Sequence, residues 1–242
     1  YTYIMQRPKK ILVFTATYNE IGNIRNLIFR IKRNNPNVHI LIIDDNSPDG
    51  TGVEINKLKK TVKNLFLINR KQKLGLDTAH KQAYNFALKK KYDYLITMDA
   101  DLSHDPKVIK NFIKNLFNFP FVIGSRYVKG GKCLMKGKRL ILSKYGNLVI
   151  KNILDVELTE FTTSYRGFNL KKLNKFHLSR VKAKGYSFFM GTIFEIIQRG
   201  YHIKEIPIIF KDRSKGSSKI PRLEILRTLK NLIVLFFKKF FL

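Results

Sequence analysis

The sequence predicts an α/β fold, a mainly parallel sheet covered by helices. Short, apolar, β-branched runs alternate with longer stretches whose apolar residues recur at helical spacing. The unusual polar residues gather just after those runs, where sheets of this kind bind ligands. A chain of 242 residues with 44% hydrophobic content can bury one large core.

"KILVFTA" (Lys10 to Ala16) reads as a first strand, and "IGNIRNLIFRIKRN" (Ile21 to Asn34) as a helix with Ile24, Leu27, Ile28 and Ile31 on one face. "HILIIDD" (His39 to Asp45) and "NLFLINR" (Asn64 to Arg70) follow as strands. "TAHKQAYNFALKKK" (Thr78 to Lys91) is a helix and Tyr94 to Met98 a fourth strand. Asp105 before Pro106 and "KVIKNFIKNLF" is a helix N-cap with Pro at the first helical position. The composition changes near Gly216, giving a main domain over 1–215 and a basic amphipathic, membrane-proximal segment over 216–242. In "EILRTLKNLIVLFFKKFFL" (Glu224 to Leu242) the apolar run Leu232 to Phe237 is far shorter than the ~20 residues of a spanning helix. Arg227, Lys230, Lys238 and Lys239 suit either a helix lying in a membrane interface or one packed on its own domain.

The balance of 47 Lys and Arg against 17 Asp and Glu, a net +30, favours anionic partners or marks a solvated basic surface. Helix-turn-helix, zinc-finger and RNP signatures are missing and the basic residues are dispersed, so nucleic acid is not the expected partner. The single Cys133 excludes an internal disulfide and a multi-cysteine metal site, which points to a reducing, cytosol-facing location. No charged start leads into an apolar signal core. GxGxxG, GxxxxGK[ST] and HExxH are all missing, so dinucleotide, P-loop and zincin chemistry are not expected.

"YDYLITMDADLSHDP" (Tyr92 to Pro106) carries the chemistry. In extended backbone Asp99 and Asp101 point to the same side, and two close anions call for a cation between them. A hard divalent ion, Mg2+ or Mn2+, completes its shell from substrate phosphates. "LIIDDNSPDGT" ends a strand with Asp44 and Asp45, suited to accept hydrogen bonds from a ribose hydroxyl or a base N–H, above an "SPDG" turn.

Together "TATYNE", "DDNSPDGTG", "MDADLSHDP", "GSRYVKGG", "FTTSYRGF" and "EIPIIFKDRSKGSSK", in that order from about Ile11 to Lys219, resemble the dolichol-phosphate (polyprenol-phosphate) mannosyltransferases of inverting glycosyltransferase family 2. The resemblance implies a GT-A type, Rossmann-like catalytic domain. It implies transfer of mannose from GDP-mannose to a dolichyl or polyprenyl phosphate at the cytosolic face of a membrane, the endoplasmic reticulum in a eukaryote or the plasma membrane in a prokaryote. Ala16, Tyr18 and Glu20 would hold the nucleotide, with Asp44 or Asp45 at its base and ribose. Asp99 and Asp101 would bind metal and diphosphate, with Ser103, a Gln in some relatives, as a weaker ligand through water. Arg126, Arg139, Ser143, Arg213 and Lys219 would gather at the lipid phosphate and the transferring sugar. The further partners it suggests are the membrane surface and either an anchoring subunit or a spanning segment beyond Leu242.

The chain departs from the family's pattern at Ala16, where Pro is usual, at Asp77 for Gly and at Glu160 for Asp. Phe189 and Gly191 stand for Gln and Glu, a change expected to strip polar groups from the acceptor side. A phosphate acceptor is already anionic near neutral pH, so no indispensable general base is expected. Arg126, Arg139 and Arg213 would position it by bidentate contacts. The alternatives are a hexosyltransferase using a UDP-sugar and a non-catalytic basic membrane-binding protein.

Overall fold

The computed structural model of the chain describes residues 8–211 and 224–240, of which 224–226 and 240 by backbone alone. Arg213 and Lys219 lie outside the described residues. The elements run β1 (Ile11–Thr17), α1 (Ile21–Asn34), β2 (His39–Asp44), α2 (Thr51–Leu58), β3 (Leu65–Asn69), α3 (Leu76–Lys89) and β4 (Tyr94–Thr97). After them come α4 (Ile109–Asn118), β5 (Phe121–Ser125), β6 (Lys132–Cys133), α5 (Gly137–Leu154), β7 (Arg166–Asn169), α6 (Ser187–Ile197), β8 (Ile203–Pro207), β9 (Ile209–Phe210) and α7 (Glu224–Phe240).

Seven strands form one sheet in the order β3-β2-β1-β4-β7-β5-β8, and β6 pairs with β9 beside it. β1 lies parallel to β2 and to β4, β2 to β3, and β5 to β8. β7 alone runs antiparallel, wedged between β4 and β5. The expected mainly parallel sheet is therefore present. Its strand order reverses between β1 and β4, which opens the crevice where such sheets take ligands.

Alternation along the strands feeds two cores. Leu12, Phe14, Leu41, Ile43 and Leu95 face one side, together with residues of α3, α5, α6 and α7. Val13, Ile40, Ile42, Tyr94 and Ile96 face the other, against α1, α2 and α4. Such strands, buried on both faces, read in the sequence as unbroken apolar runs. Helix α7 buries Leu232 and Leu235 in the first core and leaves Leu229, Ile233 and Phe237 exposed. One of its faces is thus packed on the domain.

Turn chemistry sets the loops at the carboxyl edge. The Asp105 carboxylate accepts the Lys107 N–H at 3.0 Å, and Pro106 opens the short 3-10 turn that leads into α4. The turn after β5 folds back tightly on itself. A Cβ at Gly131 would stand 2.6 Å from the Ser125 carbonyl oxygen and 2.8 Å from the Arg126 carbonyl carbon. Gly131→Ala must therefore displace backbone at the turn that carries Arg126. It is expected to lower stability by about 1–3 kcal/mol, read as a lower urea midpoint at constant m. An unchanged midpoint would contradict that close approach.

Candidate active site

The carboxyl ends of β2, β1 and β4 bring the sequence-predicted residues to one edge. After β2, the buried Asp44 accepts from the Thr17 hydroxyl at 2.7 Å and from the Ser47 N–H and hydroxyl at 2.9 and 2.6 Å. Asp45 pairs with the buried Arg70 at 2.8 Å and accepts the Gly75 N–H at 3.1 Å. Both carboxylates, expected at base and ribose, hold the surrounding loops together. A carboxylate has about four acceptor sites, so a ligand would share them. Arg70, which sequence reasoning passed over, also reaches Gln82 and Thr78.

Following β1, Ala16 is half-buried and in register with Ile43. Lys73 places its ammonium 4.0 Å from the centre of the Tyr18 ring. Glu20 accepts from the Asn23 side chain, and its N–H donates to Thr51.

Beyond β4, the side chain of Asp99 is about one-third exposed (35%), while Asp101 is buried. Ser103 is fully buried, and its hydroxyl and N–H both donate to Asp101 Oδ1, at 2.6 and 3.1 Å. Asp99 Oδ1 accepts the Ser164 hydroxyl at 2.5 Å. Among the described residues no cluster of three or more His, Cys, Asp or Glu is spaced to hold a metal. Two carboxylates with a hydroxyl nearby nevertheless fit Mg2+ or Mn2+, which needs only one or two protein carboxylates when a substrate diphosphate completes its shell.

His104 is buried behind the pair, stacked on Tyr165 and edge-on to Phe210. Its Nδ1 accepts the Asp99 N–H at 3.1 Å, so the ring is neutral and protonated at Nε2. Burial holds its pKa below the ordinary histidine value, against the pull of Asp99 and Asp101. The 3.9 Å approach of Nδ1 to Asp99 Oδ2 is therefore no ion pair. His104 braces the backbone at Asp99.

The loop before β7, Thr159 to Ser164, ties this edge to the rest of the molecule. Glu160 is fully buried and takes Arg126 by two nitrogens, Nε at 2.6 Å and Nη2 at 2.7 Å. It also accepts the N–H groups of Thr162 and Thr163. Burial alone would raise the pKa of Glu160, but Arg126 and Thr162 hold it below the usual carboxylate value. Thr159 binds Glu205 of β8, the Phe161 N–H binds Asn147 of α5, and the Thr97 hydroxyl of β4 donates to the Ser164 carbonyl. The buried Arg166 clamps the loop from below through the carbonyls of Thr163 and Phe161, with a third bond to Phe189 of α6. Burial pushes it down to about 9, leaving it charged at neutral pH.

Two expectations change here. The bidentate edge of Arg126, expected on an acceptor phosphate, faces Glu160 and Thr162 instead. Phe189 and Gly191 do not strip polar groups from an open acceptor side: both are buried, Phe189 against His80 and Arg166. A Cβ at Gly191 would stand 3.1 Å from Val181 and 3.2 Å from Ala183, so a side chain there must push those neighbours aside.

Beside Arg126, the Tyr127 hydroxyl donates to the Ser143 hydroxyl of α5 at 2.7 Å. Arg139 is exposed on the first turn of α5. The edge therefore has two halves, a loop-held acidic half over β2, β1 and β4 and a half built from Arg126, Tyr127 and α5.

The model of the family described as glycosyl transferase family 2 matches residues 12–176. The chain belongs to that family. It is 35% identical over 218 residues to a polyprenol monophosphomannose synthase of Mycolicibacterium smegmatis, a match covering 88% of this chain and 82% of that protein. It is 32% identical over 212 residues to an undecaprenyl-phosphate mannosyltransferase of Micrococcus luteus, covering 87% of each. Among solved structures, glucosyl-3-phosphoglycerate synthase of Mycobacterium tuberculosis, in complex with Mn2+, UDP and glucosyl-3-phosphoglycerate, superposes with a TM-score of 0.66 at 15% identity over 95% of this chain and 79% of that one. A mannosyltransferase of Pyrobaculum calidifontis in complex with GDP-Man and Mn2+ gives 0.59 at 18% identity, over 97% and 64%. The fold is GT-A, and the family 2 member is a hexosyltransferase.

Ser164 stands within "FTTSYRGF", where no local pattern sets it apart. Its hydroxyl orients the Asp99 carboxylate, as hydrogen bonds from surrounding residues orient the ligands of a metal ion. Ser164→Ala is expected to raise the Mn2+ concentration for half-maximal activity by about tenfold while leaving the urea midpoint nearly unchanged. Equal metal response in the two proteins would show that Asp99 does not depend on it.

Proposed function

We propose that the chain transfers mannose from GDP-mannose to the phosphate of a dolichyl or polyprenyl monophosphate, with inversion at the anomeric carbon, at the cytosolic face of a membrane. The observation that carries this reading is the pair of relatives, each matched over most of both chains and each named for mannosyl transfer involving a polyprenol or undecaprenyl phosphate. The geometry supports it through the division of the edge into an acidic half and a cationic half.

An anionic phosphate oxygen attacks the anomeric carbon, that C–O bond forms, and the bond to the β-phosphate oxygen breaks. The electron pair leaves with GDP. No proton has to be removed, because the second pKa of a phosphate monoester, near ~6, leaves the oxygen charged at neutral pH. A divalent ion held by Asp99 and Asp101 would stabilise charge growing on the departing diphosphate as a Lewis acid. Ser164 holds the Asp99 carboxylate and Ser103 that of Asp101, while His104 fixes the Asp99 backbone through its N–H. Ser103 then serves by bracing Asp101, with any contact to metal made through water.

Opposite them, Arg126 Nη1, the Tyr127–Ser143 pair and Arg139 are the groups proposed to receive the lipid phosphate. The ion pair with Glu160 keeps Arg126 charged, raising its pKa although burial alone would lower it. Arg213 and Lys219 are proposed for the same role on the resemblance alone.

The test is transfer of radiolabelled mannose from GDP-mannose to a short polyprenyl phosphate, with and without Mn2+, beside UDP-glucose as donor. Metal-dependent mannosyl lipid is expected, and Asp101→Ala should reduce turnover roughly a thousandfold, ~4 kcal/mol of transition-state stabilisation. Turnover with UDP-glucose alone would change the sugar and the nucleotide while keeping the site. Full activity in chelator, or in folded Asp101→Ala, would overturn the metal assignment.

A further inference from the structure

One short stretch of chain touches both halves of the catalytic edge. The Ile208 N–H donates to the Ser125 carbonyl at 3.0 Å, immediately before Arg126, and the Lys211 N–H donates to the Ser103 carbonyl at 3.2 Å, in the loop that carries Asp99 and Asp101. Between these contacts β9 is stitched to β6. Phe210 is in register with Cys133, and its carbonyl accepts the Leu134 N–H at 2.9 Å. The backbone from Ile208 to Lys211 therefore spans from the cationic half to the acidic half.

The half-buried side chain of Phe210 makes the same connection. The guanidinium carbon of Arg126 lies 5.3 Å from the centre of its ring, within reach of a cation–π attraction. The same ring meets that of His104 at 71°, with centroids 5.4 Å apart. Both neighbours need such support. Glu160 and Thr162 take Arg126 along one edge through Nε and Nη2, which leaves the guanidinium plane free to tilt about that edge unless Phe210 and Tyr127 hold it. His104 hydrogen-bonds through Nδ1 to the Asp99 N–H, while its Nε2 is buried with no hydrogen-bond partner among the described residues. A ring with one unpaired nitrogen can turn about its single hydrogen bond, so packing against Tyr165 and Phe210 sets where it sits.

We propose that Phe210 is a positioning residue for the transfer. Its ring sets the tilt of Arg126 toward the acceptor phosphate and, through His104, the place of Asp99 at the divalent ion. One side chain thereby fixes the spacing of the two halves. The assignment rests on the reading that Arg126 meets a lipid phosphate and that Asp99 and Asp101 hold the ion. A ring that only filled space could be exchanged for another apolar group of similar volume. A ring that holds a cation cannot, because the attraction depends on the negative charge of its face.

The chain has 19 phenylalanines, so Phe210 is changed alone by site-specific incorporation of ring-fluorinated phenylalanine. Fluorine withdraws electrons from the face while nearly conserving the shape, and the attraction weakens stepwise from one to three fluorines. With GDP-mannose as donor, the KM for a short, water-soluble polyprenyl phosphate should rise at each step, reaching about tenfold at three fluorines. The urea midpoint and the Mn2+ concentration for half-maximal activity should stay near those of the parent. Phe210→Leu, which also releases His104, should raise that KM about tenfold and the Mn2+ concentration about threefold. A KM that stays flat or falls across the fluorine series would overturn the assignment, and so would a Phe210→Leu variant whose metal response matches the parent. The same affinities are read without turnover, by titration with Mn2+ in the presence of GDP and with the short polyprenyl phosphate. A folded parent that transfers no sugar then strikes the reading of the reaction, while those titrations still uphold or overturn the role of Phe210.

Discussion

The buried ion pair between Glu160 and Arg126 is the constraint on which the catalytic edge depends. A carboxylate with no exposed surface costs several kcal/mol to desolvate and persists only when its oxygens are filled. Here they are filled by Arg126 and by the N–H groups of Thr162 and Thr163, which fixes the path of the loop. The same loop delivers Ser164 to Asp99, meets β4 through Thr97 and meets α5 through Asn147. One buried charge thus couples the acidic half of the edge to the half that faces α5.

This arrangement explains why the antiparallel β7 sits where it does. It leads directly out of the loop, and its first residue, Arg166, points a guanidinium back at the loop's carbonyls. An arginine there without a carboxylate of its own is tolerated because three carbonyl oxygens and the nearby Glu160 offset its desolvation. The aromatic packing of Phe189 and His80 above it excludes water from the clamp.

Strands β1 to β4 lie within one or two residues of their sequence bounds, because parallel strands buried on both faces write uninterrupted apolar runs. Helix α1 matches at both ends, since its buried residues Ile24, Leu27, Ile28 and Ile31 repeat at one period. Helix α5 escaped notice because it has two apolar sides, one for the core and one exposed, so no single stripe stands out against a polar face. The four-residue "RGFN" of β7 carries no strand signature. In the site, Asp99 and Asp101 were legible because their spacing has local meaning, and Asp105 because a cap and a proline announce a helix. The partnership of Arg126 and Glu160 joins residues far apart in the chain, and Glu160 stood out only as a departure from a pattern. Ser164, His104 and Arg70 act through hydrogen bonds that only the folded chain creates.

The central claim, that Arg126 and Glu160 act as one unit holding the loop, is tested most directly by a double-mutant cycle in urea using Arg126→Gln, Glu160→Gln and the two combined. Each single change should cost about 3–5 kcal/mol by leaving a buried charge without its partner, and the double variant should lose clearly less than the sum. Additive losses would show that the two side chains stabilise the fold independently and would contradict the account.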